Sequence, residues 1–165
     1  MNKPWVITYF LKELQYGFYV DINPNQDTST QILHDVYKWR GVVISNEGEI
    51  SRKNAFQFHK TDLDINPIEL YKVLYNVHCG SMIHYMRINN VKNLSNLFNI
   101  LYKEDVEKQF ERQKCYPHFN IISLELIGSP SQDIKDQLYN QFDLELKHID
   151  NNSYWFVNNI LSYLL

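Results

Sequence analysis

"YGFYVDINPNQDTSTQILHDVYKWRGVVIS", residues 16–45, is the stretch on which the fold turns. Its opening, 16–22, is rich in aromatic and β-branched residues and reads as a strand. "NPNQDTST" supplies turn and capping residues. Ile32, Leu33, Val36 and Tyr37 then recur at helical spacing, and Gly41 stops the helix. "GVVIS" (41–45) reads as a second strand. How these strands pair depends on the flanks. Upstream, "WVITYFL" (5–11) reads as a strand joined to 16–22 by a short polar connection. Downstream, "NEGE" separates 41–45 from "EISRKNAFQF" (49–58) and is a glycine-bearing hairpin signal.

The rest of the chain fits that reading. Asn66 and Pro67 open a helix through "IELYKVLYN". "MIHYMRI" (82–88) alternates faces, with Ile83, Tyr85 and Arg87 on one side. The longest helical pattern spans 91–114, with Glu104 and Lys108 as a favourable pair one turn apart. "HFNIISLELI" (118–127) is a buried strand, and Ser129 and Pro130 start the helix that follows. "FDLELKHI" (142–149), the turn "DNNS" and "YWFV" (154–157) form a hairpin, and "NNILSYLL" ends the chain as a short helix. Hairpinned strands interspersed with helices, without a regular βαβ rhythm, predict an α+β fold. The expected architecture is a mostly antiparallel sheet with several helices packed on it, in a single compact domain over residues 1–165.

Composition narrows the classes. At 165 residues, 44% hydrophobic and 21% charged, the chain can bury a core without disulfides or metal. The net charge of -3 and pI near 6.0 make nucleic acid an unlikely partner. Cys79 and Cys115 form no disulfide framework, and the opening apolar run is too short for a signal core or membrane span. The expectation is a cytoplasmic protein with reduced thiols and no membrane association.

Chemistry-bearing residues are sparse. "NVHCGSMIHYMR" (76–87) offers Cys79 as a nucleophile and His84 as its base, but their spacing brings them together on neither a helix nor a strand. His78, Cys79, Cys115 and His118 form a two-Cys, two-His set of the kind zinc takes, with C-x-x-H spacing in the second pair. Adjacent residues rarely chelate one ion, so no metal is expected. In "DLELK", Glu145 and Lys147 resemble the end of a metal-dependent nuclease signature, yet an amphipathic strand with Leu144 and Leu146 inward must place polar residues there anyway. Basic residues at 52, 53 and 60 interleave with Phe56 and Phe58, which alternation assigns to the core. A Walker loop, G-x-G-x-x-G, G-x-S-x-G and H-E-x-x-H are all absent, and no cofactor is expected.

Without a catalytic set, an aromatic-rich acidic chain reads as a binder. The expected function is a protein-binding inhibitor, an immunity protein of bacterial type that occludes a toxin's active site. The ending "YWFVNNILSYLL" resembles endings of some polymorphic-toxin immunity proteins over about a dozen residues. Asp62, Asp64, Glu69, Glu104, Asp105 and Glu107 are the expected contact acids, which would imitate phosphate toward a basic partner. The alternative is an enzyme, metal-dependent and nuclease-like or a Cys-dependent hydrolase, built on the weak candidates above.

Overall fold

The structure is a computed structural model that describes residues 14–24, 29–47, 58–77, 82–102 and 119–160. Strand β1 (Phe18–Ile22) is buried along its whole length, and β2 (Arg40–Ser45) is buried after its first residue. Burial on both faces marks interior strands of a sheet covered by helices on each side. Between them lies α1 (Ser29–Asp35), which carries the chain back across the sheet, so β1 and β2 pair in parallel from Phe18↔Arg40 to Ile22↔Ile44. The stretch 16–45 is thus a βαβ unit.

The same logic extends outward. Strand β3 (Phe58–Lys60) pairs parallel with β2, and α2 (Ile68–Asn76) follows it. A two-residue strand β4 (Met82–Ile83) leads into β5 (Tyr85–Ile88), which pairs parallel with β1. Helix α3 (Leu94–Leu101) leads on to β6 (Asn120–Ile121) and β7 (Ser123–Ile127); β7 pairs parallel with β5, and β6 with β4. Then come α4 (Gln132–Phe142), β8 (Leu144–Asp150) and β9 (Ser153–Asn158), with β9 antiparallel to both β7 and β8. The sheet runs β3-β2-β1-β5-β7-β9-β8.

The mostly antiparallel α+β sheet expected from the sequence is therefore replaced by a mostly parallel α/β sheet. One hairpin was correctly placed: β8 and β9 turn at Asn151, whose φ is 54°. The hairpin expected at "NEGE" falls mostly outside the described residues; beyond it, β3 runs parallel to β2. Gly41 does not stop a helix. It sits inside β2 opposite Tyr19, whose ring occupies the space a Cβ would need. The strand expected at 5–11 and the residues beyond 102 in the long helix lie outside the described residues.

Crossovers of one hand place helices on opposite faces when the direction of stepping reverses. On one face α2, α3 and α4 bring Leu70, Leu74, Leu97, Phe98, Leu101 and Leu138 onto Val20, Ile22, Met86 and Leu124. On the other, α1 supplies Leu33 to a cluster with Tyr19, Trp39, Tyr85 and Trp155. The stepping reverses between β1 and β5. In doubly wound sheets such a reversal marks the switch-point crevice, outside the carboxyl ends of the strands, where ligands are received.

Candidate functional site

Three interior strands each carry one charged residue in an apolar setting: "FYVDI", "YMRI" and "SLELI". Register aligns them. Asp21 lies opposite Arg87, and Arg87 opposite Glu125, on the face that α1 covers. All three are buried. Arg87 Nη1 is 3.8 Å from Asp21 Oδ1, and its Nε is 3.4 Å from Glu125 Oε1. Buried charge is tolerable only when paired and hydrogen-bonded. Here Thr30 Oγ1 donates to Asp21 Oδ2 at 2.6 Å, Ser153 Oγ donates to Glu125 Oε2 at 2.6 Å, and the Tyr85 hydroxyl donates to Glu125 Oε1. Burial, reinforced by the neighbouring Glu125 carboxylate, pushes the Tyr85 phenol well above its ordinary value, so it stays a donor. The row is a brace. It holds the end of β1, the start of α1 and the end of β5 in fixed relation directly beneath the crevice.

Above the brace the rim is made of asparagines. Asn23 follows β1 with φ 50°, and Asn90 follows β5 with φ 53°; this left-handed region is open chiefly to glycine and asparagine. Asn23 Nδ2 donates to the carbonyls of Asn89 (3.0 Å) and Asn90 (3.2 Å), while its Oδ1 accepts from the Asn46 N–H at 3.0 Å. Asn89 Nδ2 donates back to the Asn23 carbonyl at 3.1 Å. The ends of β1, β2 and β5 are thereby tied together. Next to Asn46, at the end of β2, Glu47 is exposed.

The expected site residues fall in several places. Asp62 and Asp64 lie on the loop that leaves β3 at the carboxyl edge. Asp62 Oδ1 accepts from the Asp64 N–H, and the Asp64 carboxylate accepts from the N–H groups of Lys92 and Asn93. These acids are thus engaged in joining the loop after β3 to the loop after β5. Glu69 pairs with Lys72 one turn along α2. His84 lies between β4 and β5, at the opposite edge of the sheet. Its Nδ1 accepts the Phe18 N–H at 3.0 Å, and its ring meets Trp39 edge to face. Glu145 and Lys147 pair with each other on the outer strand β8, both partly exposed, while Asp143 is the left-handed cap of α4 rather than a strand residue. His78, Cys79, Glu104, Asp105, Glu107, Cys115 and His118 lie outside the described residues. Among the described residues no group of three His, Cys, Asp or Glu side chains could hold a metal ion.

Sequence reasoning passed over Asp21, Arg87, Glu125, Asn23 and Asn89. A signal was present for the first three: one charge in each of three buried strands, alternating in sign. The asparagines had none, since Asn is abundant throughout the chain.

A parallel sheet that reverses at β1/β5 and ends in an antiparallel β9 inserted before β8 defines a Rossmann-like α/β methyltransferase fold. The chain is similar to a protein from Plasmodium falciparum described as a ribosomal RNA methyltransferase, whose crystal structure superposes with a TM-score of 0.55 at 13% identity, over 93% of this chain and 91% of that one. No family model matches the chain, and no curated protein does. At this identity the likeness establishes the fold alone. The immunity-protein reading is corrected with the fold it was built on: the sheet is mostly parallel and resembles that neighbour's, and nothing found points to a toxin partner or a bacterial origin. Among the described residues no helix is long and apolar enough to cross a membrane.

Proposed function

We propose that this chain is a methyltransferase-type domain that binds S-adenosylmethionine above the carboxyl ends of β1, β2 and β5, with RNA as the acceptor class. The observation that carries the reading is the reversal of strand order between β1 and β5, with a left-handed turn at Asn23 on its rim. Two features fit the adenosine half of such a cofactor. Asn23 adopts the backbone conformation that the tight turn after β1 demands. Glu47 follows that turn at about the twenty-residue interval at which such sheets place the acid that accepts from ribose hydroxyls.

When bound, the cofactor supplies an activated methyl group on a sulfonium. The chain's own part is to bind and orient. Glu47 accepts from the ribose, and the brace of Asp21, Arg87 and Glu125 keeps the strand ends from shifting when the crevice fills. Nucleic acid, set aside on net charge, returns as a candidate partner through the fold neighbour's description. A net charge of -3 calls for a small contact face rather than a broad phosphate-binding one.

Calorimetry with S-adenosylmethionine and S-adenosylhomocysteine tests the reading. Both should bind, and Glu47→Ala should weaken each by about tenfold or more, the scale of one charge-assisted hydrogen bond at ~1.5–3 kcal/mol. Transfer of labelled methyl to RNA but not to bulk protein should follow. Absence of binding by either ligand would sink the proposal.

A further inference from the structure

We infer that Asn23 and Asn89 latch the switch-point crevice and set its affinity for an adenosyl ligand; this rests on the adenosyl-site reading above. In a glycine-rich turn the residue after the first strand has no side chain, and a ligand comes close to the backbone there. This chain has no glycine between Gly17 and Gly41. Asn23 meets the conformational demand of the turn with φ 50°, but it also brings a side-chain amide to the crevice.

That amide engages one donor and two acceptors, the Asn46 N–H and the carbonyls of Asn89 and Asn90. The Asn89 side chain occupies a third acceptor, the Asn23 carbonyl. These are backbone groups on the three strand ends that converge at the crevice. Their donor and acceptor pattern suits the hydroxyls and amino groups of a nucleoside. The latch therefore satisfies from within the groups that a ligand would satisfy from without. A ligand that takes the Asn46 N–H must first break its bond to Asn23 Oδ1, and one that reaches the carbonyls competes with the two side-chain amides, so affinity falls by the difference.

The experiment compares binding of S-adenosylhomocysteine to the unsubstituted chain, Asn23→Gly and Asn89→Ala. Glycine adopts the left-handed conformation freely, so Asn23→Gly keeps the turn. Faster hydrogen exchange at the Asn46 amide reports that the latch has opened. The expected result is at least tenfold tighter binding by Asn23→Gly and a smaller gain by Asn89→Ala. If the unsubstituted chain binds and neither variant binds more tightly, the latch is overturned while the adenosyl site stands. If none of the three binds, both are overturned. Should Asn23→Gly melt early, Asn89→Ala decides alone by the same criterion.

Discussion

Arg87 on β5 stands opposite Glu125 on β7 in the same register row that sets it against Asp21 on β1, so one guanidinium lies between two buried carboxylates. A cation in that position is held by geometry and cannot be removed alone without exposing the cost of burying the rest. Arg87→Met should destabilise the chain by about 3–5 kcal/mol, because it strands two carboxylates in the core. Replacing Asp21, Arg87 and Glu125 together by apolar residues of similar volume should cost clearly less, since no charge is then left unpaired. Urea unfolding of the two variants checks the order. A single substitution milder than the triple would mean that the row is not what holds these strands.

Thr30 connects the brace to the turn. Its hydroxyl donates to Asp21 Oδ2 from the first turn of α1, and both residues are fully buried. Thr30→Val keeps shape and removes the donor, which should cost about 1–3 kcal/mol. Thr30→Ser restores the hydroxyl and should recover most of it. Loss of stability in Thr30→Ser but not in Thr30→Val would assign the effect to packing by the threonine methyl instead.

His84 predicts a pH dependence. Its Nδ1 accepts the Phe18 N–H, a bond that only the unprotonated nitrogen can make, and burial holds its pKa below the ordinary 6.5. The unfolded chain therefore binds the proton more readily than the folded one. The stabilisation is complete above about pH 6.5 and is lost as pH falls through and below that value. His59 is shifted the same way by burial, with Glu69 opposing, so His59→Gln is the necessary control. Unfolding free energies measured from pH 8 to 5 should fall less steeply for His84→Gln than for the unsubstituted chain. Parallel curves would remove His84 from the explanation.

What the sequence disclosed and what it withheld follow from the range of the interactions. The strand at 16–22, the existence of α4 and the β8–β9 hairpin were legible because each is settled by neighbours along the chain, although the start of α4, read at Ser129 and Pro130, is capped by Ser131. Parallel pairing was not. Val20 and Val42 would be just as apolar in an antiparallel sheet, and only the crossover through α1 fixes their direction. The glycine at position 41 misled for a related reason. Its absence of side chain serves the Tyr19 ring on the adjacent strand, a contact that periodicity within one segment cannot reveal. The charged row could have been read, since Asp21, Arg87 and Glu125 break three apolar strands. Alternation set Arg87 on one face with Ile83 and Tyr85 but could not show that this face is covered, whereas helices over both faces leave no outward side in the sheet interior.

The last prediction concerns β9, which lies between β7 and β8 and so is an interior strand despite its late place in the sequence. Trp155, Phe156 and Val157 are buried, and Asn158 Nδ2 donates to the carbonyls of Ile121 and Phe142, tying β6 and the end of α4 to the sheet. Truncation after Asn152 should therefore yield no soluble folded protein, because it splits β8 from the sheet and uncovers an edge of β7. A single change separates packing from mere chain length. Phe156→Ala removes a side chain that is 1% exposed and packs in the core shared with α4 and β7, and it should cost about 3–5 kcal/mol. Asn158→Ala should cost about 1–3 kcal/mol through the two carbonyls it leaves unsatisfied. If the truncated chain instead folds with normal stability, β9 is dispensable and its interior place in the sheet is wrong.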